Sequence, residues 1–75
     1  MYKEYVICMD KKEKTFYNDR PYGINKGVGI NNARRCSLQE IGFAKSDVQR
    51  LNFHFMKFDN NGKLIDVPFS EIQNR

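Results

Sequence analysis

Phe53-His54-Phe55-Met56-Lys57-Phe58-Asp59-Asn60-Asn61-Gly62-Lys63-Leu64-Ile65-Asp66-Val67 is the stretch whose reading decides the fold. Asn-Gly between two apolar runs is the strongest short-range hairpin signal, and it predicts a two-residue type I′ turn. Folding about Asn61-Gly62 pairs Asn60 with Lys63, Phe58 with Ile65, Lys57 with Asp66 and Met56 with Val67. Apolar then meets apolar on one face and opposite charges meet on the other, as sheet pairing rewards. In this register Met56, Phe58, Ile65 and Val67 share one face, while Leu51, Phe53, Phe55 and Pro68 fall on the other. Residues 51–58 could also prolong a helical stripe to Phe55; the partner run beyond the turn decides for a strand. Pro68 has no N–H to donate, which makes the last strand an edge.

Upstream, Ser37-Leu38-Gln39-Glu40 is a capping box, with Cys36 and Ile41 at the two hydrophobic-staple positions. Leu38, Ile41, Ala44, Val48 and Leu51 continue as one apolar stripe and predict a helix over 38–50. Gly42 weakens it by about 1 kcal/mol. Ser46-Asp47-Val48-Gln49 offers a second capping box, and with it a break near Lys45. Residues 3–9 are apolar on both faces, which suits an inner strand. A polar turn at 10–13 returns the chain through 14–17, pairing Ile7 with Phe16 and Val6 with Tyr17.

Residues 18–35 read as a long irregular loop. Asn18-Asp19-Arg20-Pro21-Tyr22-Gly23 is turn chemistry, and 27–30 could add a short strand. Residues 70–75 are expected to fray. The expectation is a single domain: hairpin 3–17, basic loop 18–35, helix 38–50, hairpin 52–69. Its class is α+β, a four- to five-stranded antiparallel sheet with one main helix packed on one face.

Composition narrows the function classes. The chain has 75 residues, with 13 basic and 9 acidic side chains and a net charge of +4. It is too short for several domains or a deep enzyme cleft. Leu, Ile, Val and Phe make up about a quarter of it, more than a disordered chain carries. No apolar run approaches the roughly 18 residues of a membrane span, and residues 1–9 lack the pattern of a signal peptide. Cys8 and Cys36, 28 positions apart, are too few for a secreted disulfide scaffold and point to a reducing cytosol. Abundant Lys, Asn, Ile, Phe and Tyr reflect AT-rich codons, as in a phage or its bacterial host. The expected location is that host's cytoplasm.

Motifs for chemistry are sparse. Gly23, Gly27 and Gly29 fit neither a Walker loop nor a dinucleotide fingerprint. Residues 59–64 are close to a calcium loop, but Lys57 and Pro68 stand where its carboxylates are required. Cys36 follows Arg34-Arg35 and precedes a helix, which would activate a thiol, with His54 as the single histidine base. A small enzyme using Cys36 is therefore one alternative. No cofactor and no metal site is expected.

Charge is more telling. Residues 11–35 hold seven basic side chains against two acidic ones, a net +5, while the rest of the chain sums to −1. Arginine and lysine interleaved with aromatic rings suit a nucleic-acid groove or an acidic protein site. The candidate binding residues are Lys12, Lys14, Arg20, Tyr22, Lys26, Arg34 and Arg35, with Phe53 and Phe55 as an apolar anchor. The partner expected is a host protein or nucleoprotein complex, with direct DNA or RNA binding as the alternative. The chain itself would be a monomer or homodimer, without a membrane partner.

Over residues 37–67 the order of helix, strand, turn and strand, with Ser37-Leu38 opening the helix and Asn61-Gly62 between strands, resembles some small phage-encoded anti-CRISPR proteins. The resemblance implies a non-enzymatic inhibitor that occupies a site on a host nucleic-acid-handling or defence complex. It carries over no functional residue.

Overall fold

The computed structural model describes residues 4–18 and 27–73. Four antiparallel strands form one sheet: β1 (Tyr5–Asp10), β2 (Thr15–Phe16), β3 (His54–Phe58) and β4 (Leu64–Val67), in the order β2-β1-β3-β4. A helix, α1 (Leu38–Arg50), packs on one face, so the fold is α+β. Among the described residues, no helix is long and apolar enough to cross a membrane.

The helix begins where local chemistry dictates. The Glu40 N–H donates to Ser37 Oγ at 3.2 Å, and the Ser37 N–H donates to Glu40 Oε1 at 3.0 Å. Cys36 and Ile41 are both buried in the core beneath it. The helix runs unbroken through Lys45 and Ser46, because Ile41, Ala44 and Val48 remain on one packed stripe. Its end is a Schellman cap. Asn52 takes a left-handed φ of 61°, its N–H donates to the Gln49 carbonyl, and the Phe53 N–H donates to the Val48 carbonyl. That cap turns the chain out of the helix and lets 54–58 become a strand. Leu38 and Leu51, expected at the two ends of the buried stripe, are exposed.

Both hairpins differ from expectation by one residue. In β3–β4, Phe55 pairs with Val67, Met56 with Asp66, Lys57 with Ile65, and Phe58 with Leu64. The turn is a three-residue loop rather than a type I′ pair. The Gly62 N–H donates to the Asp59 carbonyl, and Gly62 alone has positive φ, at 80°. Asp59 Oδ1 accepts from the N–H groups of Asn61 and Lys63 at 2.9 and 2.8 Å, which stabilises this longer loop over the Asn-Gly alternative. A one-residue slip transfers a strand's side chains to the opposite face. Val67 therefore joins Phe55 under the helix, while Leu64 and Asp66 lie beside Phe58 and Met56.

In β1–β2, Cys8 pairs with Phe16 and Asp10 with Thr15, with a bulge between. Phe16 consequently lies on the helix-free face with Cys8 and Val6, and Tyr17 packs on the helix side with Ile7. The expected fifth strand reduces to a bridge between Val28 and Phe16. At the start of the stretch expected to fray, Phe69–Glu71 form a short 3-10 turn, Ile72 is buried, and its carbonyl accepts from Lys45 Nζ at 2.7 Å.

Two backbone positions test this architecture. Asn52→Gly should leave stability nearly unchanged, because asparagine already tolerates the left-handed cap and the small relief glycine brings is offset by its freer unfolded chain, whereas Asn52→Val, β-branched at positive φ, should lower stability by roughly 1–2 kcal/mol. Gly27 has φ 68°, and a Cβ there would stand 2.7 Å from the Thr15 Cβ. Gly27→Ala should therefore destabilise by roughly 1–2 kcal/mol. Urea denaturation of the three variants beside the parent measures each difference.

Candidate functional site

The helix side of the sheet closes into a core around Phe55, Ile41 and Ile72. The opposite face is only partly closed. Residues 27–36 follow its β2-side edge, held by paired backbone bonds between Val28 and Phe16 and between Cys36 and Tyr5. The Arg34 N–H also donates to the Tyr17 carbonyl, and the Asn18 side-chain amide donates to the Asn32 carbonyl. This segment brings Ile30 and Ala33 onto Val6, Cys8 and Phe16. Beyond its reach lies a groove of about 420 Å³, with Phe16, Met56, Phe58 and Leu64 as apolar lining and Ile30 as one wall. Lys11 and Lys14 line it where β1 turns into β2.

The turn that presents these lysines is built by Asp10. Its Oδ1 accepts from the N–H groups of Lys12 and Glu13 at 2.9 and 3.1 Å. Lys14 completes the turn with a left-handed φ of 56°. Lys11 Nζ reaches across the face to Asp66 Oδ2 at 2.8 Å. An exposed ion pair of this kind contributes about 0–1 kcal/mol. Past it is a second hollow, of about 240 Å³, lined by Lys11, His54, Asp66, Pro68 and Phe69 among others. Near Phe58, the Arg35 guanidinium sits over the ring, 4.5 Å from its centroid. Such a cation–π contact contributes about 0.5–1 kcal/mol at an exposed site.

The structure divides the basic residues by role. Arg34 Nη2 donates to Glu40 Oε2 at 2.8 Å, so it braces the helix cap. Lys14 lines the groove and Arg35 covers Phe58, whereas Lys12 is exposed and lines neither hollow. Arg20, Tyr22 and Lys26 lie outside the described residues. Phe55, expected in an apolar anchor, is 1% exposed and meets Phe69 edge-to-face with ring centroids 5.8 Å apart. Phe53 is half-buried against the same core. Strand parity commits Phe55 to the interior under the helix; Phe53, one residue before β3, lines a hollow of about 290 Å³ on the helix side with Tyr17, Arg50 and Leu51 among others. The apolar residues of the groove are instead Met56, Phe58 and Leu64, with Lys11 as a further cation; the two-residue spacing of Met56 and Phe58 is the sequence signal for that face.

The thiols are separated as well. Cys36 is buried in the helix-side core, while His54 pairs with Cys8 in register on the other face. The Cys36–His54 pair considered from sequence is therefore divided by the sheet. Burial raises the Cys8 thiol pKa above its ordinary value, the dominant influence on it. Burial likewise raises the Tyr5 phenol pKa, assisted by the neighbouring Glu4 carboxylate.

Comparison with protein families, with curated proteins and with solved structures yields no match, so the functional reading rests on the residues themselves.

Two measurements follow. Folded-state pKa values raised for Cys8 and Tyr5 mean that their stabilising contribution is complete below the ordinary thiol value of 9.0 and is lost as pH rises through the folded values. Urea stability should fall above pH 9.0, and the onset of that fall should be shallower in Cys8→Val. A double-mutant cycle with Arg35→Met and Phe58→Leu should give a coupling of about 0.5–1 kcal/mol.

Proposed function

We propose that this protein is a non-enzymatic binding module that engages an acidic protein partner through the helix-free face of its sheet. One observation carries the reading: an apolar groove on that face has two lysine side chains in its lining and an arginine over its aromatic ring. Apolar area supplies affinity in such a site, and matched charge selects the partner and speeds encounter. A net charge of +4 adds a general attraction toward acidic surfaces.

A protein partner suits the groove better than a nucleic acid does. Phe16 is buried, and Phe58 already has Arg35 stacked on its ring. Base recognition needs bare aromatic faces on which bases can lie. The likeness of residues 37–67 to small anti-CRISPR proteins favours a partner within a host nucleic-acid-handling or defence complex, bound and blocked by occupancy. This reading places the protein in the cytoplasm of a bacterial host.

Affinity capture with the tagged protein from bacterial lysate should recover a stoichiometric acidic protein. The double variant Lys14→Asn/Arg35→Met should lose it; asparagine tolerates the left-handed φ at position 14, so charge is removed without added strain. Absence of any partner, or equal recovery by the variant, would overturn the reading. A labelled oligonucleotide bound at low salt, with affinity falling about 0.7–0.9 log units per contacted phosphate for each log unit of salt, would transfer the function to nucleic acid.

A further inference from the structure

The Lys11–Asp66 pair joins residues 55 positions apart, and its place on the face is unusual. Lys11 lines both the groove and the second hollow, so its side chain lies between them. Asp66 is the single carboxylate among the residues lining either space. The pair is open to solvent, with side-chain exposures of 45% and 57%. It can therefore part without uncovering a buried charge. Lys14, beside it, makes no ion pair among the described residues. The face thus presents cations toward an apolar groove, with one of them occupied by a carboxylate of the chain itself.

We infer that Asp66 is an internal stand-in for the partner's carboxylate, and that the Lys11–Asp66 pair is a displaceable bar across the binding face. This rests on the function proposed above. The occupant is an extended acidic segment of a protein whose groove-facing positions, two residues apart, carry carboxylate and aliphatic side chains in turn. One of its carboxylates replaces Asp66 at Lys11 and a second meets Lys14. Its aliphatic side chains settle against Met56, Phe58 and Leu64. With the bar parted, the two hollows become one trough alongside β3. The five residues of β3 span roughly 17 Å, a length that a strand-like segment of similar size matches. Charge complementarity selects this occupant: both lysines face the apolar lining, and Asp66 must first be outcompeted.

The test uses the full chain, its variants Asp66→Asn, Lys14→Asn and Lys11→Met, and two blocked peptides. One peptide carries Glu and Leu at alternate groove-facing positions, with Ser between them (Glu-Ser-Leu-Ser repeats); its control has Gln in place of Glu. Calorimetry and amide chemical shifts should show that Asp66→Asn binds the Glu–Leu peptide roughly three- to fivefold more tightly than the parent. Lys14→Asn should bind it more weakly, and the Gln–Leu peptide should not distinguish parent from Asp66→Asn. On a Lys11→Met background the gain from Asp66→Asn should vanish. An unchanged affinity in Asp66→Asn, alongside weakening in Lys14→Asn, would overturn the bar and leave the binding face standing. Failure of the parent and Asp66→Asn to bind the Glu–Leu peptide would overturn the proposed occupant, while the capture experiment would still judge the binding function separately. A gain in Asp66→Asn for a labelled oligonucleotide but not for the peptide would overturn the acidic-protein occupant.

Discussion

The Asp59 carboxylate, accepting from the N–H groups of Asn61 and Lys63, holds the turn on which the two-sided character of the sheet depends. With three residues in the loop, Val67 stands opposite Phe55 and Leu64 opposite Phe58. A loop one residue shorter would put Ile65 opposite Phe58 and exchange β4's inward and outward side chains. The helix-side core needs Val67 beside Phe55 and Ile72, and the groove needs Leu64 beside Phe58 and Met56. One side-chain acceptor at a turn thus bears on both the stability of one face and the chemistry of the other.

The two faces are closed by different means. Under α1, buried apolar side chains meet one another and the Phe55–Phe69 ring contact, and the Lys45–Ile72 bond ties the last turn down. On the other face a segment with little regular structure does the covering, anchored by backbone bonds at Val28, Arg34 and Cys36. Such a segment protects only the area it reaches. The remaining apolar side chains are shielded by charged ones: Arg35 lies on Phe58, and Lys11 spans to Asp66. Long cationic side chains can cover apolar surface with their stems while their charged ends stay in water. A partner can displace such a cover more readily than it can displace a packed helix.

Local chemistry was legible in the order of residues. The Ser37–Glu40 box, the helix over 38–50 and the strand character of β1, β3 and β4 each follow from interactions among near neighbours. The helix C-terminus was less legible, because Asn52 signals a cap only through a left-handed φ that its identity permits without requiring. Both hairpin registers were illegible for a related reason. Asn61-Gly62 fits a two-residue turn as well as the longer loop, and the choice falls to Asp59 and to core packing. The candidate site inherited that ambiguity: Phe55 carries the right chemistry for an anchor, but strand parity turns it inward, and Phe53 falls on the helix side, away from the groove.

The sequence by itself determined an α+β class, one capped helix, two hairpins and a basic excess concentrated in residues 11–35. These are consequences of periodicity, capping and turn chemistry, which act over a few residues. Tertiary structure alone decided which basic residues are spent and which are offered. Arg34 is drawn to Glu40, Arg35 to Phe58 and Lys11 to Asp66, while Lys14 is left facing an apolar groove. Those assignments depend on strand order, on a one-residue register and on where residues 27–36 fold over the sheet edge. They are matters of long-range packing, in which a side chain's neighbours come from distant parts of the chain.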